Sequence, residues 1–249
     1  MSPRLQVAVS TESTNADVVR HVTAQPEAWP HLSVLLTTDQ RAGRGRLGRD
    51  WISPPDAALA VSTLVRVRTV PVAARGWIPL AAGVALAHAI ENQLEDTTHR
   101  TSLKWPNDIL VDGDKIAGIL AEVVPGEFDA VVIGTGINTR MSAAPVPSAT
   151  SFLLLGRDQD DDWLLADYLS GLEAALAALQ EASGDAEKSG LHASVTSYCL
   201  TLGREVRVSL PTGAVLIGRA SHLDVGGRLV VETDDGEVAV SAGDVVHVR

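Results

Sequence analysis

Two apolar-rich runs, residues 102–111 and 115–124, flank the dipeptide Asp112-Gly113. This pair accepts the backbone angles of a two-residue turn, so the segment predicts a β-hairpin and commits the middle of the chain to antiparallel pairing. Pro106 has no N–H to give to a ladder and is expected at an edge or a bulge. An unbroken register from this turn puts Ala117 opposite Asp108 and Gly118 opposite Asn107. The Asn-Asp pair would then face a strand without bulk, leaving a gap where a ligand could lie.

The flanking segments supply both element types. Residues 5–10 predict a short strand, and Ser13-Thr14-Asn15 offers caps for a helix over about 16–23. Residues 32–38 and 58–67 read as strands, and 79–94 has helical spacing of apolar residues. Residues 130–137 form another strand pattern containing Gly134 and Gly136. Residues 139–151, rich in Pro, Ala and Ser, predict a mobile loop. Asp160-Asp161-Asp162 opens a helix to about 182, where carboxylates suit the positive end of the dipole better than a metal. From residue 203 the pattern changes to five short runs: 205–210, 216–223, 228–232, 237–240 and 244–248. Gly- and Asp-rich turns punctuate them, which predicts a small β-barrel. The expected division is 1–202 and 203–249.

Charge and composition exclude several classes. With 31 acidic against 20 basic residues, the net charge of -11 disfavours a general nucleic-acid binder. Hydrophobic residues at 45% suffice for a packed core. The single cysteine, Cys199, excludes an internal disulfide and reads as a small buried hydrophobe. The seven histidines lack zinc-site spacing. The N-terminal residues Met1 to Gln6 contain no signal-like apolar run. The apolar run 77–90, interrupted by Pro79 and His88, is too short for a bilayer and reads as a buried helix. A soluble cytoplasmic protein is expected.

The basic residues are unevenly spread. Seventeen are Arg and three are Lys, at 104, 115 and 188. Arg41, Arg44, Arg46 and Arg49 fall within nine residues that contain no acid. The interleaved Gly43, Gly45 and Gly48 form a formal G-x-G-x-x-G. A dinucleotide loop must open a helix, however, and here Trp51-Ile52-Ser53-Pro54-Pro55 follows, which resists one. Glycines permit close backbone approach, and guanidinium forks pair with carboxylate or phosphate. Taken alone, the pattern also fits a solvated basic loop. Lys104 and Lys115 sit in stretches suited to burial, where an ammonium needs an anionic partner. Two snorkelling lysines remain the plain alternative. The run Gly134-x-Gly136-Ile137-Asn138 reads either as a close-approach site or as a β-bulge before a polar turn.

Together these pieces closely resemble the catalytic region of biotin protein ligases (biotin–[acetyl-CoA-carboxylase] ligases). In order, they are Ser13-Thr14-Asn15, Gln40 with Gly43-Arg44-Gly45-Arg46-x-Gly48-Arg49-x-Trp51, Lys104-Trp105-Pro106-Asn107-Asp108, Lys115-x-x-Gly118-Ile119-Leu120, and Gly134-x-Gly136-Ile137-Asn138. The resemblance implies an α+β fold: a mixed-sheet catalytic domain with a C-terminal SH3-like barrel. It implies activation of biotin by ATP as biotinyl-5′-AMP, with Mg²⁺, and transfer to a lysine of a biotin carboxyl carrier domain. Biotin contacts are implied for Ser13, Thr14, Asn15, Gln40, Gly43, Arg44, Gly45, Arg46, Lys115, Gly118, Gly134 and Gly136. Arg46, Arg49, Trp51, Asn107, Asp108 and Asn138 are implied on the nucleotide side, with Lys115, Arg46 and Asp108 as catalytic candidates. The metal ligands stay unassigned.

Leu47 stands where some relatives carry a further Arg, and Phe152 is the aromatic nearest to where relatives can stack adenine. The chain starts almost directly at the catalytic region, so a monofunctional type without a DNA-binding element is expected, as a monomer or weak homodimer with no nucleic-acid or membrane partner. A lipoate-type ligase and a non-catalytic biotin sensor are the alternatives.

Overall fold

The computed structural model describes residues 2–51, 53–144 and 146–248. Met1 and Arg249 lie outside the described residues, as do Ile52 of the helix-resistant segment and Pro145 of the 139–151 loop. In chain order the elements begin β1 (Leu5–Val7), α1 (Thr14–Ala24), β2 (Ser33–Thr37), β3 (Gly43–Arg44), β4 (Asp50–Trp51), β5 (Ala58–Arg66) and α2 (Trp77–Gln93). They continue β6 (Thr101–Lys104), β7 (Asp108–Val111), β8 (Asp114–Val123), β9 (Ala130–Asn138), α3 (Asp161–Glu181) and α4 (Leu191–Tyr198). The last five are β10 (Glu205–Ser209), β11 (Val215–Leu223), β12 (Leu229–Thr233), β13 (Gly236–Val240) and β14 (Asp244–His247).

The main sheet has seven strands in the order β1-β2-β5-β9-β8-β7-β6. Its β1–β2 pair is parallel and every other pair antiparallel, so it is a mixed sheet. Side chains alternate between faces along each strand. Leu59, Val61, Ile133, Ile137, Ala117 and Ile119 point to one face and form the main core with α2 and α3. Along α3, Leu164, Tyr168, Leu172, Leu176 and Leu179 make the matching apolar stripe. The Tyr168 hydroxyl finds Thr135 Oγ1 at 3.0 Å, and burial pushes its pKa up to about 12.

The opposite face is only half covered. There α1 lays Val18 and Val22 over Leu35, Leu64 and Val132, forming a second, smaller core. Ser13 caps α1, accepting from Ala16 N. Beyond the start of α1 the sheet surface runs out into Ala60, Gly136 and Gly118, paired across three strands. That strip of small residues, with the Trp51 ring laid over its two glycines, is the floor of the cleft described below.

Several expectations change in detail. The predicted register holds at Val111↔Asp114 and Leu110↔Lys115, then slips at a bulge, giving Ile109↔Ala117 and Asp108↔Gly118. Ile116 is the inserted residue, and it is fully buried. The segment 102–111 is itself split into β6 and β7, a second hairpin whose turn holds the cis Trp105-Pro106 bond; Pro106 is thus in a turn. Gly134 and Gly136 pair on both sides in regular register, so β9 carries no bulge. The loop 139–151 is tethered: Lys115 N donates to Ser148 O, Thr150 N to Lys115 O, and the buried Ser151 hydroxyl to Met141 O. Residues 72–93 are, by length and composition, enough to cross a membrane. Burial of α2 in the core, rather than shortness, makes it a core helix. Helix α4 had no counterpart in the sequence reading.

The C-terminal strands form an antiparallel sheet, β13-β12-β11-β10-β14, of a small barrel-like module. Two buried indoles tie it to α2 and to the turn between β6 and β7: Trp77 Nε1 donates to Val225 O at 2.9 Å and Trp105 Nε1 to Gly227 O at 3.2 Å. Gly76 faces the Gly226 carbonyl so closely that any Cβ would collide with it. Cys199 is buried, and burial pushes its thiol up.

Candidate active site

A cleft opens over the glycine floor. It is walled by the start of α1, the loop 43–51, the turn after β6, the start of β8 and the start of β14. Fifteen of the residues singled out from sequence line it; Gly43 and Asn138 do not.

One end is buried, and the groups it turns to the cleft are neutral. Gln40 Oε1 accepts from Thr14 N at 2.9 Å and from Thr14 Oγ1 at 3.0 Å. Both of those bonds end on the carbonyl oxygen, which leaves the Gln40 amide group as a donor without a partner among the described residues. Ser62, fully buried on β5, places its hydroxyl 2.6 Å from Asn15 Oδ1 and 2.8 Å from Thr14 Oγ1. Asn15 Nδ2 lies 2.7 Å from Glu122 Oε2. Gly134 must be glycine here, because a Cβ would strike Asn15 Oδ1.

The other end is charged. Lys115 Nζ pairs with Asp108 Oδ1 at 2.7 Å. The β8 bulge makes this possible: residues 115 and 118 fall on opposite faces of an unbroken strand, and the extra residue brings Lys115 round to the side of Gly118. A Cβ on Gly118 would lie 3.1 Å from Lys115 Nζ. Arg46 Nη1 donates to Asn107 Oδ1 at 3.1 Å, and burial pushes the Arg46 guanidinium down from the ordinary arginine value. Arg49 grips both oxygens of Asp244, at 3.2 and 2.6 Å. That bond raises Arg49 and holds Asp244 below the usual carboxylate range. Arg44 stands on the exposed side of the same loop.

The loop itself is a short hairpin. Gly43 pairs with Trp51 and Arg44 with Asp50, Gly45 N donates to Arg49 O at 2.6 Å, and the exposed Leu47 turns the tip in a left-handed conformation. Gly43 serves this hairpin, since a Cβ would meet the Gln40 side chain and the Trp51 carbonyl.

Three residues sit where the sequence alone did not place them. Trp51, expected on the nucleotide side, lies across the floor against Gly118 and Gly136. Its Nε1 is buried with no hydrogen-bond partner among the described residues, and Lys115 Nζ sits 5.4 Å from its ring centroid. Asn138 is held at the end of β9, where its amide donates to Thr150 O at 2.9 Å and Lys115 O at 3.4 Å. In this arrangement it braces the 139–151 loop and does not line the cleft. Phe152 is fully buried in the main core and offers no face to an adenine.

Sequence reasoning missed Ser62, Glu122 and Asp244. Ser62 is a polar residue at an inward strand position and could have been flagged by alternation alone. Glu122 sat inside an apolar run. Asp244 lies 195 residues from Arg49, and nothing local marks it.

Comparison with known proteins places this arrangement. Residues 7–138 match the biotin/lipoate A/B protein ligase family, and residues 201–248 match the biotin protein ligase C-terminal domain. The biotin–[acetyl-CoA-carboxylase] ligase of Mycobacterium tuberculosis is 40% identical over 99% of this chain and 90% of its own. The bifunctional ligase/repressor BirA of Bacillus subtilis is 28% identical over 87% of this chain and 66% of its own. The structure of the Aquifex aeolicus biotin protein ligase in complex with biotin and ATP superposes with a TM-score of 0.79 at 25% identity, covering 99% of each chain. These relatives support neither a lipoate ligase nor a non-catalytic sensor. The chain belongs to the biotin/lipoate A/B protein ligase family and, within it, to the biotin–[acetyl-CoA-carboxylase] ligases.

Proposed function

We propose that this ATP-dependent ligase seats biotin in the cleft beside the Trp51 ring that covers Gly118 and Gly136, with its ureido ring at the neutral end and its carboxylate at Lys115. The observation that carries this reading is the polarity of the cleft: a buried neutral hydrogen-bond array at one end, and Lys115 and Arg46 at the other. In the first step a biotin carboxylate oxygen attacks the ATP α-phosphorus, the bond to the bridging oxygen breaks, and pyrophosphate leaves. Two anions must meet, so Lys115, Arg46 and Arg44 offset their repulsion and the charge developing at phosphorus. In the second step the neutral amine of a carrier lysine attacks the acyl carbon, and AMP departs with the bonding electrons. Asp108 is placed to orient that amine or accept its proton.

Mg²⁺ fits as an ion carried in on the nucleotide. Among the described residues no group of three His, Cys, Asp or Glu side chains could hold a metal. Magnesium commonly takes one or two protein oxygens together with phosphate oxygens. Asp108 and the Asn107 side-chain oxygen, both lining the cleft, would hold it there, and the ion would neutralise phosphate charge. The loop 43–51, folded as a hairpin over the floor, would shield the mixed anhydride from water.

We further read residues 1–202 as the catalytic unit and 203–249 as a module that reaches the cleft through Asp244. The carrier is a carboxyl carrier domain of a biotin-dependent carboxylase, and the enzyme acts in the cytoplasm as a monomer or weak homodimer. The test is ATP-dependent transfer of biotin to a carrier domain, read by streptavidin blot with lipoate as competitor. Labelled carrier, unaffected by lipoate, is the expected result; transfer of lipoate instead would overturn it.

A further inference from the structure

We propose that Glu122 is a positioning residue that fixes which end of the Asn15 amide faces the ligand, making Asn15 an obligate acceptor for a ureido N–H. This rests on the biotin reading of the cleft.

The oxygen and nitrogen of a side-chain amide are alike in shape, so the neighbours decide its orientation. Asn15 Nδ2 lies 2.7 Å from Glu122 Oε2 and 3.3 Å from Leu120 O. A carboxylate and a backbone carbonyl only accept, so both N–H bonds of Asn15 must point at them. Oδ1 is thereby turned toward Ser62, whose hydroxyl lies 2.6 Å away, and toward the space above Gly134. One lone pair meets Ser62, and the other is left over the floor of the cleft. Asn15 is only 6% exposed, so an amide turned the wrong way could not be rescued by water.

Gln40 is set in the opposite sense. Its Oε1 is used twice by Thr14, which leaves its N–H groups for the ligand. The neutral end therefore offers one directed acceptor and one directed donor. A cyclic urea offers the complement, N–H donors beside a carbonyl acceptor. A ligand head lacking N–H groups would leave Asn15 Oδ1 buried and unpaired, which is an effective means of rejection. Glu122 follows Gly118 and Leu120 on the same face of β8 but lies outside the cleft lining, so it acts through Asn15.

The test compares variants by steady-state pyrophosphate release. Glu122→Gln can present either a donor or an acceptor to Asn15, and should raise KM for biotin about tenfold while kcat and KM for ATP hold. Glu122→Asp keeps an acceptor and should retain more of the affinity. Asn15→Asp alone sets two carboxylates together and should be worse than Glu122→Gln. Adding Glu122→Gln to it restores a donor facing Asp and an acceptor facing biotin, so the double variant should recover to within about threefold of wild type. Thermal melts separate loss of fold from loss of orientation.

If Asn15→Ala raises KM for biotin but Glu122→Gln does not, Glu122 has no orienting role. Losses that simply add in the double variant would overturn the directional claim even if either single variant folds poorly. If Asn15→Ala itself leaves KM for biotin unchanged, the placing of biotin at this end fails first.

Discussion

At one end of the cleft Ser13, Thr14, Asn15 and Ser62 are between 0% and 6% exposed and carry no charge. At the other, the Lys115 and Asp108 side chains keep 32% and 24% of their exposure and face each other as ions. Buried neutral groups need fixed partners, so that end is wired internally, with a Gln40 donor and an Asn15 acceptor held toward the cleft. The cations, more buried at Arg46 and more exposed at Lys115 and Arg49, instead hold provisional partners: Asp108 for Lys115, Asn107 for Arg46 and Asp244 for Arg49. A carboxylate or phosphate can take such a place without leaving a charge stranded. On the proposed seating of biotin and ATP, one end would recognise by prearranged geometry, and the other would exchange internal pairs for substrate pairs.

The largest effect should follow from removing the central cation. Lys115→Ala should cut adenylate formation by about 10²–10³-fold, the usual loss when a transition-state charge loses its partner. It also strands Asp108 beside the incoming carboxylate. Pyrophosphate release at wild-type rate would show that the charged end is not where the anions meet, and the contrast between the two ends would collapse.

Gln40→Ala tests the neutral end. It leaves Thr14 N and Oγ1 without their acceptor and removes the donor facing the ligand. KM for biotin should rise about 10- to 100-fold with kcat near wild type, since the lost contacts act before chemistry begins. A fall in kcat at saturating biotin would mean the two ends are not functionally separate. Arg46→Gly should come next, with adenylate formation down about tenfold and biotin appearing on lysines outside the carrier. Mass spectrometry of bystander proteins reads this directly, and labelling confined to the carrier would rule out loop shielding.

How much of this was legible follows the same division. Residues that meet a ligand from one loop or one strand end are grouped in sequence, so Ser13-Thr14-Asn15, the Gly-Arg loop and Lys104 to Asp108 stood out as clusters. The strands and main helices were readable because apolar periodicity reports burial. The hairpin register failed at Ile116, because a bulge is decided by what both flanking strands need and no local residue announces it. Yet that slip carries the ammonium of Lys115 to the cleft. Ser62 and Glu122 were hidden for another reason: each is a polar residue in an apolar strand, significant only through a partner on another element. The place of Trp51 over two glycines was not legible, because it depends on the loop folding back across the sheet.

The smallest expected effect probes the link to the C-terminal module. Arg49 and Asp244 keep 63% and 39% of their exposure, so the pair contributes at most about 1 kcal/mol and salt screens it. A carboxylate held below its ordinary 3.8 contributes in full above that value, and the contribution is lost as pH falls through the depressed one. Between pH 6 and 8, about the range of an activity assay, Asp244→Asn should therefore differ from wild type by a constant factor. The asparagine keeps an acceptor but loses the charge, so KM for ATP should move less than about threefold. Biotinyl-AMP should escape a few times faster as the hairpin loosens. Raising ionic strength from about 0.05 to about 0.5 M should bring wild type toward the variant and leave the variant nearly unmoved. If kcat instead drops about 100-fold, Asp244 takes part in the chemistry. The charged end would then be fixed like the neutral one, and the contrast drawn from their burial would be wrong.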